Sequence, residues 1–222
     1  MENKIIEKAI SKSQHCQRNW DLEKNIPDAD LQTMVTSVTE CPSKQNEAFY
    51  KVIIVKDRNK IEKIHETTDG FTFHDGTKDT ISPDGWIKQG VKTITNSQTL
   101  ANILFVFLKD TPKSNRSTQV AAVNLYSEQS EGVENEIEKQ RNLSVGIASG
   151  YLNLTASLLE YNTGCCSCFD SEKIEKILDC KDPILLMGIG YRDKTRSRLE
   201  HHKDSNIRFR TFKKVEIEYM HV

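Results

Sequence analysis

RNLSVGIASGYLNLTASLLEYNTGCCSCFD, residues 141–170, is the stretch that decides the fold of this chain. Its first half is rich in small residues, which let another backbone approach closely: Ser144, Gly146, Ala148, Ser149 and Gly150. Its second half is an apolar run with leucine at positions 152, 154, 158 and 159. Such a run is too dense for a one-sided surface helix, so we expect a long central helix that is buried on most faces. The crowded cysteines that follow predict a tight turn at residues 163–169.

Length and charge limit the possible classes of protein. The chain has 222 residues, enough for one sizeable core, so we expect a single domain spanning residues 1–222. Its 31 Lys and Arg nearly balance its 32 Asp and Glu, which predicts neither a nucleic acid nor a membrane surface as partner. No apolar stretch reaches the roughly 18 residues needed to span a bilayer, and the N-terminus lacks a signal-peptide core. We therefore expect a cytoplasmic protein.

Cysteine usage bears on both the redox compartment and metal binding. The chain has six cysteines, with Cys165, Cys166 and Cys168 crowded together and no CxxC pair. A structural zinc site normally takes four ligands in two spaced pairs, and no second pair is present. We expect free thiols in a reducing compartment and no metal site.

Hydrophobic periodicity predicts an α+β protein with a mixed β-sheet flanked by helices. Helices are expected at 3–12, from Asp28 as N-cap to about residue 40, at 58–65 and, capped by Asp170 or Ser171, up to residue 178. Strands are expected at 50–56, within 99–108 after a turn, and at 183–190.

Two further segments are weakly patterned or terminal. Residues 67–95 hold four glycines and predict loops and short strands, or a lid with Trp86 as its anchor. Residues 206–222 alternate like an edge strand, which would pair with its own sheet or with a second subunit.

Four polar clusters lie just outside predicted helices or strands, where binding groups tend to lie. They are residues 14–18, 42–46, 163–169 and 196–198. In the last of these, Arg196 and Arg198 flank Ser197, an arrangement that can clamp a phosphate. The alternative that this is a solvated basic loop stays open.

Taken together, the four clusters resemble the FMN-dependent nitroreductase family over the whole chain. KSQHCQRNWD resembles the family's Arg-x-Ser-x-Arg/Lys-x-Phe segment, with Cys16 at the serine position and Arg18 at the second basic position. CPSKQNEAFYKVIIV resembles its Pro-Ser-Ser-x-Asn segment followed by a strand, and Lys44 is a departure. CCSCFD resembles its flavin-contacting turn, and TRSRLE resembles its C-terminal phosphate clamp.

The resemblance implies a homodimer with FMN at the subunit interface and the C-terminal strand exchanged between subunits. The small residues at 146–150 would then form a subunit contact. A helix crossing within one chain stays open as the alternative.

The resemblance also implies which residues hold FMN. Arg196 and Arg198 would bind the phosphate, with His15 and Cys16 nearby, and Gln14 stands where the family commonly has an arginine. Arg18 would lie near the pyrimidine edge of the flavin, where a fixed cation raises its potential.

Other contacts complete the expected site. Asn96 would hydrogen-bond the pyrimidine ring, whereas Thr99 stands near a position that is often lysine in the family. The remaining implied FMN contacts are Pro42, Ser43, Asn46 and the backbone amides of Cys166, Ser167 and Cys168.

By resemblance, the chain is an NADH- or NADPH-dependent oxidoreductase that reduces nitroaromatics, quinones or similar planar acceptors by ping-pong hydride transfer. FMN carries the chemistry, so no catalytic side chain is expected. One alternative is a flavin carrier or sensor, which the departures at Gln14 and Thr99 favour. Another is an interaction protein that uses its basic tail as a partner surface.

Overall fold

A computed structural model describes residues 2–68, 71–74, 80–82, 85–87, 91–110, 130–203 and 215. The described helices are α1 (Glu2–Ser13), α2 (Asp28–Thr39), α3 (Arg58–Glu66), α4 (Ser130–Leu158) and α5 (Ser171–Leu178). The described strands are β1 (Trp20–Asp21), β2 (Tyr50–Val55), β3 (Phe71–His74), β4 (Thr80–Ser82), β5 (Gly85–Ile87), β6 (Val91–Ile94), β7 (Ile103–Lys109), β8 (Asn162–Cys166) and β9 (Pro183–Arg192). The expected α+β class is confirmed.

The main sheet has the order β1-β9-β7-β2, with β8 also pairing with β9. The sequence predicts a mixed sheet, yet every pairing among the described strands is antiparallel. The expected C-terminal strand at residues 206–222 lies outside the described residues, except for Val215, which is exposed.

Strand β7 divides the core into two layers because its side chains alternate between the two faces of the sheet. Phe105 and Phe107 pack with residues of α2 and α4 on one face. Leu104 and Val106 pack with residues of α3 and α5 on the other face. All four side chains are fully buried, which explains why the sequence shows a continuous apolar run here rather than an alternating one.

The long helix differs from its prediction in two respects. It packs against α2 and the sheet but leaves Leu143, Ile147 and Tyr151 exposed, so the expectation of burial on most faces is wrong within one chain. Residues 163–169 do not form one tight turn, because Asn162–Cys166 is a strand that pairs with the edge of β9. The chain reverses before this strand, at Glu160, which has a φ of 67°.

The loop before β7 packs directly on the sheet because three strand glycines leave room for it. A Cβ at Gly188 would overlap the carbonyl oxygen of Gln98, and one at Gly164 would lie 2.7 Å from the Cβ of Gln98. At Gly190, a Cβ would occupy the place of the Asn102 carboxamide, whose oxygen accepts from the amide of Tyr191 at 3.0 Å. These glycines therefore fix the position of residues 96–102 over β8 and β9.

Of the two helix N-caps expected from the sequence, the one at Asp170 is confirmed. Asp57 and Asp170 cap α3 and α5 by accepting hydrogen bonds from the amides of Lys60 and Lys173. Asp28, expected as an N-cap, is instead the first residue of α2, and Pro27 holds the cap position without a side-chain bond. Asp28 pairs with Lys56 at 3.0 Å.

The segment at 67–95 contains two short antiparallel pairs, β3 with β6 and β4 with β5. The side chain of Trp86 lies outside the described residues, so its role as an anchor and the lid itself stay predictions. None of the described helices is both long and apolar enough to cross a membrane.

The substitution Gly188→Ala tests the packing of the loop at residues 96–102 on β9. We expect it to lower the free energy of unfolding by about 1–3 kcal/mol, the usual cost of overpacking, because the added methyl group collides with the Gln98 carbonyl. Urea denaturation measures the change. The double variant Gly188→Ala/Ala101→Gly is the control: it removes the second contact but leaves the backbone collision, so full recovery of stability would contradict this explanation.

Candidate functional site

A basic cleft of about 890 Å³ opens beside the C-terminal ends of α1 and β9. His15 and a single acid, Glu160, line it. Six basic side chains also line it: Lys8, Lys12, Lys24, Arg192, Lys194 and Arg198. His15 and Arg198 are the residues from the sequence-predicted phosphate clusters that meet in this cleft. The strong excess of positive charge suits an anionic ligand.

Hydrogen bonds between distant parts of the chain build this cleft. The amide of Gln17 donates to the carbonyl of Thr163 at 2.8 Å, which ties the N-terminal segment to β8. The Asn19 carboxamide donates to the carbonyls of Ser197 and Glu200 at 2.8 and 3.0 Å. This second link holds the segment that carries Arg198 against residues 15–19.

The α1 wall of the cleft is fixed by an ion-pair cluster. Lys8 and Lys12 contact the carboxylate of Glu160 at 2.9 and 3.2 Å. The side-chain amide of Asn153 donates to the carbonyl of Ser13 at 2.9 Å, which holds the end of α1 on α4. These contacts set the width of the cleft.

Arg18 lies close enough to Arg198 for the two charges to interact. Burial lowers the pKa of Arg18, Cys16 opposes that change, and the charge of Arg198 lowers the pKa further. Arg18 does not line the cleft and already has a partner within the protein, so Arg198 is the member of this pair that faces the cleft.

Gln17 belongs to the polar cluster at 14–18 and lines the cleft, but it was not among the expected FMN contacts. Its side chain is fully buried, and Nε2 donates to the carbonyl of Asn19. Its Oε1 has no hydrogen-bond partner among the described residues and is closed off from solvent, so a ligand in the cleft does not reach it. No sequence signal distinguishes Gln17 from its polar neighbours.

Arg196 has a different environment from Arg198. Its guanidinium donates to the carbonyls of His202 and His201 at 2.7 and 2.9 Å and does not line the cleft. Two of its donors thus hold the loop that follows. Gln14 is exposed beyond the end of α1 and also does not line the cleft.

The cluster at 42–46 lies away from the cleft, a few residues before a contact with the middle of α4. Ser43 is the N-cap of a 3₁₀ turn at Lys44–Asn46, while Pro42 and Asn46 are exposed. The contact is made by Arg141 of α4, whose Nε donates to the carbonyl of Phe49 at 3.2 Å. At a rise of 1.5 Å per residue, residues 141 and 158 are roughly 25 Å apart. One chain therefore does not bring this cluster to the basic cleft.

Asn96 and the cysteine segment lie outside the cleft lining. Asn96 is buried, and its side-chain oxygen accepts from the amide of Gln98 at 3.1 Å, which caps a 3₁₀ turn. Cys166 is buried in β8, whereas Ser167 and Cys168 are exposed beyond the strand. Burial raises the pKa of Cys165 to about 12, so that thiol is protonated at neutral pH. The described residues contain no group of His, Cys, Asp and Glu arranged to hold a metal ion.

His65 clusters with the adjacent pair His201 and His202, which is distant from it in sequence. The ring of His65 lies 5.1 Å from that of His202, which lies 4.4 Å from that of His201. Thr95 contacts Nε2 of His65 at 2.9 Å, and the carbonyl of Asn96 contacts its Nδ1 at 3.2 Å, so a neutral ring has partners on both sides. The cluster was missed because its members show no common spacing.

These features define an α+β protein with a basic, phosphate-type cleft at the edge of an antiparallel sheet. A family model described as Nitroreductase family matches residues 12–191. The chain belongs to the nitroreductase family. A search of the curated proteins finds no match.

Solved structures share the fold at low identity. A nitroreductase family protein from Streptococcus pneumoniae is 17% identical, with 100% of this chain and 96% of that chain covered and a TM-score of 0.59. A structure from Exiguobacterium sibiricum in complex with FMN is 13% identical, with 86% and 90% covered and a TM-score of 0.61. A structure from Staphylococcus epidermidis named as an NAD(P)H:FMN oxidoreductase is 18% identical, with 85% and 87% covered and a TM-score of 0.59. At these identities the likeness shows the fold alone.

The histidine cluster predicts a pH dependence of stability. Burial lowers the pKa of His65 from 6.5 to about 4 and that of His202 to about 3. Below pH 6.5 the unfolded chain therefore binds more protons than the folded one, so stability falls as pH drops from 6.5 toward 4. Urea midpoints at pH 7.5 and pH 5 measure this loss.

The variant His65→Gln isolates the contribution of that ring. It should be less stable at pH 7.5 but should lose less stability on going to pH 5. His15→Gln, at a partly exposed histidine, is the matched control and should keep the pH dependence. An unchanged pH dependence in His65→Gln would contradict the assignment.

Proposed function

We propose that this chain is an FMN-dependent NAD(P)H oxidoreductase that reduces planar, electron-poor acceptors such as nitroaromatics and quinones. The observation that carries the proposal is the convergence of His15 and Arg198, from opposite ends of the sequence, in one basic cleft. Membership of the nitroreductase family and the FMN held by the Exiguobacterium sibiricum structure support the choice of cofactor.

The residues of the cleft fit the phosphate of FMN. A phosphate monoester carries close to two negative charges at neutral pH, which Arg198 and His15 would bind. Arg196, whose guanidinium holds the following loop, would position this segment rather than bind phosphate itself.

A second copy of the chain would complete the site. The 42–46 cluster lies close to residue 141 of α4 and the basic cleft lies near its C-terminal end, so antiparallel pairing of two such helices centred near residue 150 would bring one cluster to the other subunit's cleft. We propose a homodimer with FMN between subunits for this reason. The exchange of residues 206–222 between subunits belongs to the same proposal and lies outside the described residues.

The exposed face of α4 supports this dimer. Four large side chains form an apolar stripe along this face: Leu143 (54% exposed), Ile147 (38%), Tyr151 (50%) and Leu158 (43%). Leaving this stripe in water costs free energy. Among the described residues, nothing lies within 4 Å of a Cβ placed at Gly146 or Gly150. Small residues at helical spacing let two helices approach closely, so the stripe fits a second α4.

When bound, FMN supplies the redox chemistry by accepting hydride from a nicotinamide and passing electrons to the acceptor. The chain's own residues bind and orient the cofactor. Arg198 and His15 would fix the phosphate. Arg18 does not line the cleft, so its positive charge would act on a reduced ring from outside the cleft lining and favour the anionic form. Cys165 would add no nucleophile, because burial raises the pKa of its thiol to about 12.

All six cysteines are free thiols. Free thiols are typical of reducing compartments, which supports a cytoplasmic location for the proposed enzyme.

The visible spectrum of the purified protein tests the function. We expect flavin absorbance after addition of FMN, and bleaching when NADH or NADPH is added under argon. A protein that binds no FMN would contradict the proposal. Bound FMN that neither nicotinamide bleaches would instead identify a flavin carrier or sensor.

Arg198→Ala identifies the cleft as the binding site. Hydrogen bonds to charged groups contribute about 1.5–3 kcal/mol, so the variant should bind FMN about tenfold more weakly or worse. Lys181→Ala removes an exposed lysine far from the cleft and serves as the control. Equal FMN affinity in Arg198→Ala and wild type would place the flavin elsewhere.

Leu143→Glu tests the dimer. A charge in the stripe would be buried against the second helix, so the variant should elute as a monomer where wild type elutes as a dimer. Size-exclusion chromatography with light scattering measures the masses. Leu22→Glu, the same change at a leucine that is 47% exposed outside the stripe, should remain dimeric. A dimeric Leu143→Glu would show that another face forms the interface.

A further inference from the structure

The basic cleft contains more positive charge than one phosphate needs. Lys8 and Lys12 are paired with Glu160, and Lys24 is paired with Asp21 at 2.7 Å. In the part of the chain that the structure describes, Arg192, Lys194 and Arg198 form no ion pair. These three cations line the cleft without an ion pair among the described residues, although the Asp193 carboxylate lies close enough to Arg192 for the two charges to interact.

These three cations divide into an inner and an outer group. Arg198 is half-buried beside Arg18, which its charge reaches. Arg192 and Lys194 are exposed at the mouth. The inner group, together with His15, suffices for the phosphate of FMN. The outer group is left for a second anion.

The outer pair is held on a defined piece of backbone. Arg192 is the last residue of β9 and pairs in register with Trp20 of β1. The amide of Asp193 donates to the carbonyl of Asn19 at 3.0 Å. The Asp193 carboxylate accepts from the amide and hydroxyl of Thr195 at 2.8 and 2.6 Å, so it is engaged in the turn rather than with Lys194. Both cations therefore project from an anchored strand end and turn.

We propose that Arg192 and Lys194 bind the 2′-phosphate of NADPH and make this chain select NADPH over NADH. This proposal rests on the proposed function. NADPH carries a phosphate monoester where NADH has a hydroxyl, and that phosphate adds nearly two negative charges at neutral pH. Arginine can bind it through two parallel N–H bonds, and lysine adds a point charge. Arg192 and Lys194 line the same cleft as the residues proposed to bind the FMN phosphate. They would therefore bind the adenosine end of NADPH while its nicotinamide reaches the flavin.

Donor kinetics of the FMN-loaded protein measure the selection. We expect wild type to have a kcat/KM for NADPH about tenfold or more above that for NADH, equivalent to one charge-assisted contact. The double variant Arg192→Gln/Lys194→Gln should lose most of that preference because its KM for NADPH rises, whereas its kcat and KM for NADH should change little. Lys51→Gln/Lys60→Gln removes two exposed cations outside the cleft and should behave as wild type. Equal kcat/KM values for both donors in wild type would overturn the proposal.

A binding measurement separates this inference from the proposed function. Titration calorimetry with adenosine 2′,5′-bisphosphate and with AMP needs neither flavin nor turnover. We expect tighter binding of the bisphosphate by wild type and equal binding of the two by Arg192→Gln/Lys194→Gln. Equal affinity in wild type would show that the outer cations are ordinary solvated charges. Absence of flavin reduction by either donor would reject the proposed function, while the calorimetry would still decide the phosphate site.

Discussion

Burial of β7 on both of its faces is the constraint on which the rest of the structure depends. Phe105 and Phe107 need α2 and α4 on one side, and Leu104 and Val106 need α3 and α5 on the other. Its neighbours β2 and β9 satisfy its backbone groups through antiparallel ladders. Because a buried strand must be covered and paired on every side, β7 determines where each helix layer lies.

The cleft is a consequence of that arrangement. Strand β9 pairs with β7, β8 and β1 and ends at Arg192, where the N-terminal segment crosses it. The glycines at 164, 188 and 190 let the loop at 96–102 settle on these strands. Asn19 then ties the C-terminal basic segment to the N-terminal one. A small number of buried polar contacts thus turns two dispersed basic sequences into one electropositive surface.

Prediction from the sequence succeeded where local chemistry dominates. The helices at 58–66 and 171–178, the apolar strands and the α+β class follow from periodicity and, for the second helix, from the Asp170 cap; both signals act over a few residues. Prediction failed where the structure of a segment depends on a sheet edge or on the protein surface. Residues 162–166 became a strand because β9 offered an open edge, and α4 kept an apolar face exposed because nothing else in one chain covers it.

Some features of the candidate site could likewise be predicted from the sequence, and others could not. The residue types of a phosphate clamp are visible in the sequence at His15, Arg196 and Arg198, because charge and hydrogen-bonding capacity belong to the side chains themselves. Only the tertiary structure separated Arg196, which holds backbone carbonyls, from Arg198, which lines the cleft. It also brought together the three histidines, whose importance comes from burial and from neighbours distant in the chain. The sequence by itself determined the elements and the chemistry available to them, whereas burial and long-range contacts decided which side chains face a ligand.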